Sequence, residues 1–145
     1  MENRFNLQDV QPAAIKAMYD LSGYLAGTQL TKTQLELIKI RASQINGCAF
    51  CIDMHTKDAL KNGETTQRIF LLNAWKETDK FTEEEKALLA ITEEVTLISQ
   101  HGLTDATYAK AASFFSKEVI AQILMAVVII NSWNRIAIST QLPVA

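Results

Sequence analysis

Glycine and proline are scarce, 5 and 2 of 145 residues, and both prolines, Pro12 and Pro143, lie near the ends. Hairpin-rich architectures consume turn-forming residues, so this scarcity leaves strands little room. Cysteine is limited to Cys48 and Cys51, too few for a disulfide-stapled scaffold, and a chain of this length can bury a core large enough to need none. Charge of neither sign dominates, with 14 Lys and Arg against 16 Asp and Glu. No basic run alternates with aromatics, so the electrostatic footprint of a nucleic-acid partner is missing. The opening MENRFNLQDVQP lacks the apolar stretch of a signal peptide, which leads us to expect a cytoplasmic, reducing environment and no permanent structural disulfide. Long apolar runs are also missing. Val119 to Ile138 is interrupted by Gln122, Asn131, Asn134 and Arg135, and its longest clean run, Ile123 to Ile130, falls well short of the ~20 residues that span a bilayer. No membrane partner is expected.

What is present is helical periodicity, with apolar residues recurring at spacings of three and four throughout. Pro12 suits the first turn of a helix to about Ala26. Thr31 or Thr33, with Gln34 or Glu36 three places on, opens a second helix that Asn46-Gly47 stops. A third begins at or near Cys48 and ends at Asn62-Gly63. A short apolar helix covers Ile69 to Trp75, and the capping box Thr82/Glu85 opens another to Gly102. Thr104 caps a helix to about Phe115, and Ser116 caps the long apolar one. The expectation is an all-α bundle of about seven helices forming one domain, 1–145. The last helix is apolar on nearly every side, which fits either a central helix or a contact between subunits.

The thiols carry the chemistry. Two cysteines placed at random in such a chain fall three apart only about once in seventy trials, so the spacing C-A-F-C is informative. On a helix that spacing puts both on one face within disulfide reach. Because Asn46-Gly47 ends the preceding helix, the pair falls in the first turn of the next, where free N–H groups and the positive end of the helix dipole stabilise a thiolate. The first cysteine of such a pair is ordinarily the more exposed and the more acidic. His55 follows Cys51 by four residues and Cys48 by seven, on the same face, where its imidazole can relay protons near neutral pH.

The same residues admit other readings. A thioredoxin-like site needs a βαβ pattern and a cis-proline beside the disulfide, and neither is available. Zinc could draw Cys48, Cys51, His55 and His101, but structural zinc sites pair ligands from two separated knuckles, and His101 beside Gly102 suits a helix C-terminus. The cysteines could also be inert core residues.

The run Glu36 to His55, E-L-I-K-I-R-A-S-Q-I-N-G-C-A-F-C-I-D-M-H, resembles the core of the alkylhydroperoxidase AhpD and carboxymuconolactone decarboxylase family. The likeness rests on a glutamate twelve before the first cysteine, the Cys-x-x-Cys, and a histidine four after the second. Asn131 to Ile138, N-S-W-N-R-I-A-I, is also similar to the family. The decarboxylase branch lacks the thiol pair, so Cys48 and Cys51 point to the peroxidase-like branch. The resemblance implies an AhpD-like single-domain fold and a homo-oligomer, trimer or hexamer. It further implies that Glu36 lies beside His55 as the base of a relay to the thiols, that Cys51 attacks the peroxide, and that Cys48 resolves it. That order of attack runs against the chemistry of a helix-start pair, which favours Cys48. One departure stands out: Phe50 occupies the place where the peroxidase carries an extra histidine, and a phenyl ring moves no protons.

The expected activity is therefore that of a peroxiredoxin-type oxidoreductase: hydroperoxide as substrate, a Cys48–Cys51 disulfide as intermediate, and a dithiol as reductant. Dihydrolipoamide is the reductant the resemblance implies. The cycle requires no metal or bound cofactor. A redox sensor or disulfide-exchange protein with little turnover, and a decarboxylase-like enzyme acting on another substrate, remain as alternatives.

Overall fold

The computed structural model describes residues 2–144, and among these no strand occurs. The α-helices are α1 (Leu7–Val10), α2 (Pro12–Gly23), α3 (Lys32–Asn46), α4 (Ala49–Lys61), α5 (Thr66–Leu71), α6 (Glu83–Thr96), α7 (Ile98–His101), α8 (Asp105–Ala112) and α9 (Lys117–Thr140). Short 3-10 segments follow α2 (Tyr24–Gly27) and α5 (Leu72–Glu77).

The caps explain the starts. Thr31, rather than Thr33, opens α3: its hydroxyl accepts the Gln34 N–H at 3.1 Å while the Gln34 side chain accepts the Thr31 N–H at 2.9 Å. Thr82 and Glu85 form the same reciprocal pair at α6, and Thr104 and Ser116 cap α8 and α9. Each arrangement satisfies backbone donors that a helix start leaves free.

The expected organisation differs from this in detail. The helix expected to run to Ala26 ends at Gly23 and tightens into the 3-10 turn. The apolar segment expected at Ile69 to Trp75 is a helix started earlier, by Thr65, followed by a 3-10 stretch kinked at Ala74. The helix expected to reach Gly102 breaks at Leu97, whose backbone leaves the helical region. Just before that break the Thr96 hydroxyl accepts a hydrogen bond from Asn131 on α9 at 3.0 Å. The Glu94 carboxylate meanwhile accepts the Thr104 N–H and the Thr107 hydroxyl, tying α6 directly to the start of α8.

Helices α3, α6 and α9 pack on one another to form the core, and α4 lies against α3 and α9. Leu37, Ile38, Ile40, Leu88, Leu89, Ile91, Ile123 and Val127 are fully buried there. Each contributes on the order of 1.5–3 kcal/mol of hydrophobic stabilisation. By length and mean hydropathy, 1.5, α9 could cross a membrane in spite of its polar interruptions. In this fold it is the central helix, in contact with α2, α3, α4, α6 and α8, and Asn131 and Asn134 turn inward to bond α3.

Candidate active site

The thiols are placed by a helix-to-helix junction. Gly47 takes up a left-handed conformation (φ 69°, ψ 34°) that closes α3. The Cys48 N–H then reaches back to the Ser43 carbonyl at 3.0 Å, a Schellman-type closure. Cys48 is thereby the N-cap of α4, and Cys51 sits one turn inside it. The two thiols are free, buried, and in hydrogen-bonding contact, Sγ to Sγ 2.8 Å.

One negative charge across this pair rests best on Cys48. The Cys51 S–H donating to it is the largest influence and outweighs burial, holding the Cys48 thiol down to about 6. The Cys51 N–H and the Asn134 side chain act in the same direction, the former without forming a full capping bond. The same S–H···S contact, together with burial, pushes the Cys51 thiol up. Access divides the pair the other way. Neither sulfur is the exposed one that a helix-start pair leads one to expect, and Cys51, not Cys48, lines the large cavity.

Glu36 on α3 and His55 on α4, nineteen residues apart in the chain, meet at 3.0 Å between Oε2 and Nδ1. The other carboxylate oxygen accepts from Lys39 Nζ at 3.1 Å. Burial opposes ionisation of Glu36, but the His55 bond and the Lys39 charge outweigh it and hold the carboxyl below its ordinary range. A carboxylate that accepts from Nδ1–H fixes the tautomer with Nε2 free to take or give a proton.

Glu36, Cys51 and His55 share a cavity of about 760 Å³ between the N-terminal helices, α3, α4 and α9. Its remaining wall is mainly apolar, with Tyr19, Phe50, Met54, Ile129 and Trp133 prominent. His101 is elsewhere, exposed at the end of α7 with Nδ1 at 3.0 Å from the Gly102 carbonyl. Among the described residues no three His, Cys, Asp or Glu side chains are grouped as a metal would require.

A buried polar cluster beside the thiols escaped the sequence reading. Asn46 Nδ2 donates to Asn131 Oδ1 and Asn134 Oδ1, both at 2.9 Å, and Asn134 Nδ2 donates to Ser43 Oγ at 2.9 Å. The available signal is the set of polar residues that interrupts the most apolar segment, Asn131 and Asn134 among them, within the stretch that is also similar to the family.

Residues 12–94 match the model of the carboxymuconolactone decarboxylase family. The chain is 44% identical over 139 residues to the uncharacterized protein YdfG of Bacillus subtilis (strain 168), covering 96% of this chain and 95% of that one. An Agrobacterium tumefaciens protein of unknown function, proposed to be the antioxidant defence protein AhpD, superposes with a TM-score of 0.96 at 39% identity over 99% of both chains. The debrominase Bmp8 shares the fold alone, with a TM-score of 0.85 at 17% identity over 95% of this chain and 74% of its own.

Proposed function

The chain belongs to the carboxymuconolactone decarboxylase family, and from that membership we propose that it is a thiol-dependent peroxidase of the AhpD type acting in a reducing compartment. The observation that carries this reading is the meeting of two contacting thiols and a carboxylate-bound imidazole on one side of the fold, with Cys51, His55 and Glu36 all facing the same cavity.

In the proposed cycle the resting proton lies on Cys51 and the charge on Cys48. Transfer of that proton along the S–H···S contact makes the cavity-facing sulfur the thiolate. Cys51 then attacks the terminal peroxide oxygen: an S–O bond forms, the O–O bond breaks, and the alkoxide leaves, taking a proton from the His55 side. Cys51 is now a sulfenic acid. Cys48 attacks its sulfur, an S–S bond forms, and the hydroxide leaves as water with the proton released by Cys48. An external dithiol returns two electrons and two protons, becoming a disulfide itself and restoring both thiols. Glu36 orients the imidazole and stabilises its charged form. The opposite pulls of charge and access are thereby reconciled, because Cys48 serves first as proton acceptor and then as resolving thiol.

Multiple-turnover reduction of an organic hydroperoxide with dihydrolipoamide tests the reading. Cys51→Ser is expected to reduce turnover to background, and Cys48→Ser to stop after one oxidation. His55→Phe and Glu36→Gln are each expected to slow it by about a hundredfold, the scale of a lost proton-transfer partner. Turnover surviving in Cys51→Ser overturns the proposal. A wild type oxidised once and not restored by any small dithiol supports a sensor instead.

A further inference from the structure

Lys39 faces the cavity about one helical turn beyond Glu36, and the cycle set out above gives it no part. Its ammonium donates to Glu36 Oε1 at 3.1 Å while Oε2 meets His55 Nδ1 at 3.0 Å, so lysine holds one carboxylate oxygen and imidazole the other. Glu36 and His55 are buried and the Lys39 side chain is only 21% exposed, so salt screens these charges weakly. The remaining charged or titratable side chains that line the cavity are Lys32 on α3, Cys51, Asp58 and Lys61 on α4, and Tyr19 on α2; among the described residues α9 supplies none. Asp58 and Lys61 pair with each other at 3.7 Å, and Cys51 is in contact with Cys48. Of the three cavity lysines, Lys39 alone bonds Glu36.

An ionised carboxylate with no other countercharge favours the protonated form of an imidazole beside it, because opposite charges attract strongly where water is scarce. A ring that keeps its proton accepts none from a thiol. Lys39 alters this balance. It already meets the Glu36 charge, and a charged His55 is then a second cation on the same carboxylate, so the protonated ring gains less. A ring whose proton is neither pinned nor excluded near neutral pH is suited both to give a proton to a leaving alkoxide and to take one back from a thiol. We infer that Lys39 is a positioning residue for the relay: it grips one oxygen of Glu36, leaves the other aimed at His55, and meets enough of the carboxylate's charge for the imidazole to release its proton. The inference rests on the Glu36–His55 pair acting as the relay proposed above. It adds no chemical step, and the proton still passes between the His55 ring, the thiols and the leaving alkoxide.

The test is the titration of His55 in the reduced protein without peroxide, followed through the NMR signals of the histidine rings from about pH 5 to about pH 9. The only other histidine, exposed His101, serves as internal reference. Lys39→Met and Lys39→Gln remove the charge and are expected to raise the His55 midpoint by about one pH unit, about a tenfold shift in the protonation equilibrium. Lys39→Arg keeps the charge, and Lys32→Met removes a cavity cation that does not bond Glu36; both are expected to stay within about twofold of wild type. In the hydroperoxide assay, turnover at neutral pH is expected to fall about tenfold in the two charge-removing variants and to persist in Lys39→Arg. If Lys39→Met does not fold, Lys39→Gln decides by the same midpoint. A His55 midpoint unmoved by loss of the charge, or moved as far by Lys32→Met or Lys39→Arg, overturns the inference and leaves the peroxidase reading standing. A midpoint that shifts as expected in a protein whose wild type turns over no hydroperoxide upholds the role of Lys39 at the pair and overturns the peroxidase reading instead.

Discussion

A carboxylate as buried as Glu36, 7% exposed, stays ionised only if its partners outweigh its lost hydration, and here His55 and Lys39 do so. The sign of the pH dependence follows. Because the folded carboxyl titrates below its unfolded value of about 4.3, its stabilising contribution is complete above that value and lost as pH falls through the lower, folded one. Glu36→Gln is expected to flatten the acid limb of the stability curve, read by urea unfolding between pH 3 and pH 6; an unchanged limb contradicts the ionised bridge. At the thiols, alkylation is expected to fall off as pH drops through about 6, where the lower-titrating sulfur gains its proton. A midpoint near 8.5, that of an ordinary cysteine, contradicts the S–H···S arrangement. Spacing made the Cys48, Cys51 and His55 grouping legible, since one helix face holds all three. Glu36 lies on another helix, so only resemblance could bring it to His55. The bonds that tie Asn134 to Asn46 and Ser43 were illegible because a polar residue in an apolar helix looks the same in sequence whether it faces water or a buried partner.

The junction between α3 and α4 sets where the sulfurs go. Gly47 holds φ at 69°, and a Cβ there would meet nothing within 4 Å, so Gly47→Ala carries a conformational cost without a steric one, about 1 kcal/mol. The expected result is a melting temperature lower by about 3–4 °C in calorimetry, together with slower alkylation of the displaced thiols. An unchanged melting temperature contradicts the left-handed closure. Helix starts were legible at this scale because a capping hydroxyl and its partner three residues on are local features, as at Thr31, Thr82, Thr104 and Ser116. Ends and breaks were less so. Leu97 breaks α6 where Thr96 and Glu94 bond other helices, contacts made only after folding.

The whole molecule is organised around α9, which is central and yet leaves Val128 and Ile138 nearly half exposed. Its all-round apolar character therefore answers to the first reading open at the outset, since it fills the core, and Val128 and Ile138 remain open to solvent beside Arg135 and Ser139. The homo-oligomer that the family resemblance implies would cover such side chains. Light scattering coupled to gel filtration is expected to give a trimer or hexamer, with Val128→Asp shifting the mass toward the monomer; a monomeric wild type contradicts that assembly. The cavity beside Cys51 joins residues from both ends of the described chain, Phe5 and Leu142 among them, and no local pattern could have delimited it. The most direct test of the account is the thiol count of the reduced, native protein after one equivalent of organic hydroperoxide. The account predicts that both thiols are lost together, that the mass falls by two hydrogens through an intramolecular Cys48–Cys51 disulfide, and that a dithiol restores them. Two thiols still titratable after the oxidant has been added would contradict it.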